Sequence, residues 1–123
     1  MNKFFFSAAI LFAAPLSAHA ASADPKFPMQ DGKSIYEHVC QGCHMAGGKG
    51  AIGGGAYPAL AQNARLEEGG YPASIILHGQ KAMPSFGAFF SDSQVAEVVN
   101  YLRTHFGNNY SGKVTAADVK AMR

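Results

Sequence analysis

Apolar residues fall most regularly in the second half of the chain, where Val95, Val98, Val99, Leu102 and Phe106 are 3, 1, 3 and 4 positions apart. That spacing keeps them on one face of a helix. Ser91 and Gln94 ahead of it form a capping box, and Gly107 supplies a stop, so the pattern predicts a helix over about 92 to 106. An earlier helix is expected after Asp31, whose carboxylate can cap it; Ile35, Tyr36 and Val39 share its apolar face, and it delivers two cysteines at its end. Pro72 suits the first position of a third helix, with Ile75, Ile76 and Leu77, closed by Gly79. A short helix is expected over 59 to 64, and Thr115-Ala116-Ala117-Asp118 reads as the cap of one or two further turns.

Between the first two helices lies a glycine-rich stretch, Gly47-Gly48-Lys49-Gly50 through Gly53-Gly54-Gly55, followed by Tyr57-Pro58-Ala59-Leu60. Neither regular helix nor strand is expected there. It is not a phosphate-binding loop, because Gly50 follows Lys49 where a Ser or Thr is required and no strand precedes it. Strand alternation persists nowhere, so the fold class is a small all-α domain of 3–5 short helices with long loops.

The first 20 residues read as an export signal: Lys3 is the positive region, Phe4 to Leu16 is almost wholly apolar, and Ala18-His19-Ala20 offers the small-x-small cleavage pattern. Ala21-Ser22-Ala23 is a second site of the same kind. The apolar run of about 13 residues is short of the roughly 20 that span a bilayer, so no stable membrane insertion is expected and the mature chain should be periplasmic. The expected organisation is a signal peptide over 1–20, a flexible or extended lead-in over 21–30, one domain over 31–107, and an extension over 108–123 packed on that domain. Apolar residues make up 48% and charged residues 15%, which excludes a disordered polar chain. One of the 10 basic side chains, Lys3, lies in the signal; the remaining 9 face 8 acidic ones, a balance too even for nucleic acid or acidic lipid as partner.

The chemistry lies in Cys40-Gln41-Gly42-Cys43-His44. In an exported protein C-x-x-C-H is the attachment pattern of c-type haem: two thiols three positions apart at a helix end can add to two vinyl groups of one porphyrin, and the adjacent histidine then lies under the iron. A zinc site lacks further cysteines, and a redox dithiol lacks its βαβ setting. For the opposite face of the iron, Met45 is too close to His44, Met29 lies in the lead-in and Met122 in the tail. Met83 remains, 39 residues beyond His44 in a loop stiffened by Pro84, and its thioether is a soft donor that favours reduced iron. His78 and His105 are the rival sixth ligands, although histidines near helix ends more often serve the dipole and the last carbonyls. His38 reads as a solvated or locally bonded ring, and Phe86, Phe89 and Phe90 as packing around the porphyrin.

Gly32-Lys33-Ser34-Ile35-Tyr36 ahead of that motif, then Tyr57-Pro58-Ala59-Leu60, Met83-Pro84 and Val99-Asn100-Tyr101-Leu102-Arg103, resemble the small monohaem class I cytochromes c over roughly 31 to 107. The long glycine loop and the tail look more like cytochrome subunits of bacterial alcohol or sugar dehydrogenases. The resemblance implies that Gly32 and Tyr36 meet Val98 and Tyr101 where the first and last main helices cross. It implies that the carbonyl of Pro58 accepts a hydrogen bond from the His44 imidazole and that Leu60 packs on the haem. The expectation is an exported electron carrier, not an enzyme, with one covalent haem c, thioethers from Cys40 and Cys43, and iron held by His44 and Met83. Its expected partners are periplasmic donor and acceptor proteins, with a dehydrogenase or a terminal oxidase as candidates. The alternatives are a haem enzyme or gas sensor with a labile sixth ligand, and a haem-free thiol oxidoreductase.

Overall fold

The computed structural model describes residues 26–53 and 55–123, and the expected signal peptide with the first half of the expected lead-in lies outside them. Four helices organise the described residues. Helix α1, residues 32–44, runs as α-helical Gly32–Ile35, π-helical Tyr36–Cys40 and α-helical Gln41–His44. Helices α2 (Gly70–His78), α3 (Asp92–Thr104) and α4 (Ala116–Ala121) follow. No helix among the described residues is long and apolar enough to cross a membrane.

The caps are those the residue types demand. The Asp31 carboxylate accepts from Ser34 N at 2.9 Å, and these hydrogen bonds hold its carboxyl below the ordinary range. Ser91 with Gln94 and Thr115 with Asp118 form complete capping boxes for α3 and α4.

Four expectations are corrected. The glycine-rich stretch does hold strand: β1 (Ala51–Ile52) pairs antiparallel with β2 (Ala56–Tyr57), Ala51 opposite Tyr57. Residues 59 to 64 are not helical, because Leu60 N and Ala61 N both donate to the Gly48 carbonyl and Gln62 takes φ +48°; a 3₁₀ turn forms later, at Ala64–Leu66, capped by Asn63. Helix α2 starts at Gly70, two residues before Pro72, since Tyr71 N and Ala73 N already donate to Glu68 and Gly69 carbonyls. Helix α3 ends at Thr104, not 106: the loop behind it supplies Asn108 Nδ2 to Leu102 O and Tyr110 N to Arg103 O, and Phe106 and Gly107 turn to φ +59° and +78°.

The core lies where α1 crosses α3 and α3 meets α2 and α4. Ile35, Tyr36, Val95, Val98, Val99 and Val119 are almost wholly buried there. Gly32 makes the crossing close: a Cβ on it would sit 2.2 Å from the Glu97 carbonyl oxygen and 2.6 Å from Tyr101 Cβ. The Tyr36 ring lies 6.0 Å from Tyr101 and 4.8 Å from Phe106, centroid to centroid, so the expected meeting of these helices is observed.

Three buried polar side chains tie irregular segments to α3. Gln94 receives Ser91 N and donates to the carbonyls of Phe27 and Met29, fastening the segment before α1. Arg103 donates to the carbonyls of Leu66, Glu67, Ser111 and Gly112. Asn108 accepts from Asn63 N and donates to the carbonyls of Leu60 and Leu102. No buried side-chain polar atom among the described residues lacks a partner, as burial without desolvation loss requires.

Gly32→Ala should cost about 1–3 kcal/mol by forcing the crossing apart. Gly42→Ala, where a Cβ meets nothing within 4 Å, should be neutral or stabilise by about 0.5–1 kcal/mol. Denaturant midpoints of the two variants check the pair, and equal midpoints would contradict the close crossing. Burial also raises the Tyr36 phenol above its ordinary 10.0, while its hydroxyl donates to the Met45 carbonyl at 2.6 Å. The neutral phenol is favoured in the fold, so its contribution is complete below pH 10 and is lost as pH rises from there through the raised value. Tyr36→Phe should lose about 1 kcal/mol at neutral pH and show a shallower alkaline decline, measured as unfolding free energy against pH.

Candidate functional site

Helix α1 ends at the cysteine pair and His44, and the chain then turns sharply at Met45, which takes φ +64° and ψ 163°. The Tyr36 hydroxyl holds the Met45 carbonyl from inside the core. Past the turn the chain doubles back, with Gly50 N donating to the His44 carbonyl at 2.9 Å. Gly50 has φ +65°, and a Cβ there would lie 2.4 Å from Tyr57 O and 2.6 Å from Ala59 N. Only glycine allows both that conformation and the passage of residues 57–59 directly over the turn. Their passage brings the Pro58 carbonyl to 2.9 Å from His44 Nδ1, where the imidazole N–H donates to it. The expected His44 to Pro58 bond is therefore present.

His44 is 8% exposed, so its ring is held in the interior with one nitrogen committed. Cys40 is half-buried, Cys43 exposed, and neither is in a disulfide. Burial, with Cys43 alongside, pushes the Cys40 thiol up to about 12.

Met83 sits in the loop between α2 and α3. Gln80 and Met83 exchange both backbone hydrogen bonds, at 3.0 and 2.9 Å, and make a tight turn entered through Gly79, φ +75°. Cys40, Leu60, Met83 and Phe86 are all partly buried and pack against the one core. The rival histidines are used elsewhere. Exposed His78 bonds through Nε2 to the Met122 carbonyl at 3.0 Å. Exposed His105 bonds through Nδ1 to the Tyr101 carbonyl at 2.9 Å and stacks on the Tyr101 ring at 4.0 Å. His38, also exposed, makes the local bond expected of it, to the Ser34 carbonyl at 2.8 Å. Phe90 is buried and stacks with Phe86, while Phe89 is 38% exposed beneath the Lys26 ammonium.

Sequence reading missed the residues that hold this arrangement from behind: Gly50 under Pro58, Tyr36 through its hydroxyl, and Asn108, which braces Leu60. Gly50 carried a signal, as a glycine in a stretch that must reverse. Asn108 carried none, because nothing in its neighbours marks it as buried.

Residues 27–102 match the family model described as cytochrome c oxidase, cbb3-type, subunit III. Among relatives, the chain is 32% identical over 105 residues to the cytochrome c subunit of the quinone alcohol dehydrogenase of Gluconobacter oxydans, covering 75% of this chain and 22% of that protein. It is 34% identical to the fructose dehydrogenase cytochrome subunit of Gluconobacter japonicus, covering 76% and 22%. The chain thus spans about a fifth of the length of these dehydrogenase subunits. It is also 31% identical to cytochrome c6 of a Synechococcus species, covering 79% of this chain and 84% of that one. With more than half of the chain matched by the family model and most of a single small cytochrome aligned to it, the chain belongs to the cbb3-type subunit III family and is a monohaem cytochrome c domain.

Proposed function

We propose that this chain is an exported carrier of single electrons between periplasmic redox partners, with haem c attached through Cys40 and Cys43 and iron held by His44 and Met83. The observation that carries the reading is the bond from His44 Nδ1 to the Pro58 carbonyl at the end of a helix bearing two free thiols. With the proton on Nδ1, the Nε2 lone pair is left for a metal, and the ring cannot rotate. The donor set fits the group: two thiols three positions apart, one buried imidazole whose second nitrogen has no protein partner among the described residues, and a partly buried thioether.

When bound, haem c supplies a one-electron Fe(III)/Fe(II) couple. The Pro58 carbonyl makes the His44 imidazole a stronger donor by drawing on its N–H. The Met83 sulfur, neutral and soft, favours the lower charge of the reduced state and so raises the potential. Leu60 and Phe86 contribute apolar surface that limits solvent reorganisation. If His44 and Met83 both bind the iron, no coordination site would be open to substrate, and the chain would act as a carrier and not an enzyme. Export is supported by Lys3, the apolar run to Leu16 and Ala18-His19-Ala20.

Relatives named as dehydrogenase cytochrome subunits support a periplasmic dehydrogenase as donor, and the family description supports an oxidase as acceptor. The near-even charge predicts weak steering and brief complexes.

A pyridine haemochrome assay on exported protein should find one haem per chain, lost or reduced to a single thioether in Cys40→Ser and Cys43→Ser. A colourless, folded wild type would end the reading. Carbon monoxide should bind the reduced wild type slowly and Met83→Ala fast, with a fall in potential in that variant; fast binding to wild type would favour a gas-binding protein instead. Electron exchange with a donor should vary little between low and physiological salt, and a steep decline would point to a charged docking surface.

A further inference from the structure

The arm that returns from Met83 to α3 is held by residues that lie outside it. At its start, Ser85 Oγ and Gly87 N both donate to the Leu77 carbonyl, and Phe86 N donates to the Ile76 carbonyl at 2.8 Å, which fixes the arm to the end of α2. Further along, three carbonyls of the arm accept from distant segments. Arg123, just beyond α4, donates through Nη1 to Gly87 O at 2.5 Å and through Nη2 to Phe90 O at 2.7 Å. Its Nε meets the Asp92 carboxylate at 2.5 Å, at the first residue of α3. From the segment before α1, Lys26 N donates to Phe89 O at 3.0 Å, and the Phe27 ring packs 5.2 Å from Phe90.

One planar guanidinium thus spans the arm at Gly87 and Phe90 and locks it to α3. A lysine in its place offers a single compact charge that cannot reproduce the fork. We propose that Arg123 is a positioning residue for the sixth ligand: by clasping the 85–91 arm it keeps the Met83 thioether from leaving the iron. The inference rests on the proposed ligation by Met83. It gives the segment behind α4, where the Met122 carbonyl also accepts from His78 Nε2, a ligand-holding task.

The readout is the rate at which excess imidazole replaces the thioether in the oxidised holoprotein, together with the far-red sulfur-to-iron charge-transfer band. At saturating imidazole that rate reports opening of the Met83 loop. Arg123→Gln should raise it about tenfold, as expected for losing a charged, partly exposed set of hydrogen bonds, and should weaken the band. Arg123→Lys should show a smaller rise, and it carries the comparison if Arg123→Gln does not fold. Val98→Ala, a core truncation in α3, serves as the control with a comparable fall in unfolding midpoint and should leave the rate near wild type. A rate unchanged in both Arg123 variants, or raised no more than in Val98→Ala, would overturn the clasp while leaving Met83 ligation standing. A wild type without the band would remove the ligand assignment and the clasp together.

Discussion

The hydrogen bond between His44 Nδ1 and the Pro58 carbonyl is the constraint on which the arrangement depends, because it joins the end of α1 to the segment that leaves the short β1–β2 ladder. For that bond to form, the chain must reverse immediately after His44 and pass back within van der Waals reach of itself. Met45 in a positive-φ conformation starts the reversal, and Gly50 permits the crossing. The two-residue β1–β2 ladder then brings the chain back toward Pro58. A glycine-rich composition that lowers the intrinsic order of a segment is here the condition for a close backbone approach.

A domain of this size cannot fix long loops by apolar burial alone. Side chains bonded to main-chain carbonyls do much of that work. Gln94 and Arg103 stand in the first and last turns of α3 and Asn108 in the loop beyond it, and each bridges two or more segments far apart in sequence. Arg103 is buried as a cation with no carboxylate partner among the described residues; its four carbonyl acceptors compensate the desolvation that an isolated guanidinium would suffer. Helix α3 is therefore both the main apolar wall and the frame to which the irregular segments are fastened.

The helices with strong periodicity and explicit caps were legible in advance: α3 from its valines and the Ser91 box, α1 from Asp31, α4 from Thr115 and Asp118. Their ends were less so. Helix α3 stops early because Asn108 and Tyr110 satisfy its last carbonyls, and that competition is tertiary, invisible in a window of neighbouring residues. The missing helix over 59–64 has the same origin, since its amide groups are drawn to Gly48 from across the loop. At the site, the spacing of Cys40, Cys43 and His44 is written in the sequence because attachment chemistry acts locally. The pairing of His44 with Pro58 was legible only through family resemblance, and the roles of Gly50 and Asn108 emerge only once the chain is folded.

The most direct test of the account is the protonation state of the His44 ring in the reduced, diamagnetic protein, read by ¹⁵N NMR of histidine-labelled material. The account predicts a protonated Nδ1 whose hydrogen exchanges slowly and is bonded to the Pro58 carbonyl, with Nε2 bare of hydrogen. A proton on Nε2, or an Nδ1 hydrogen exchanging as freely as that of an exposed ring, would contradict it.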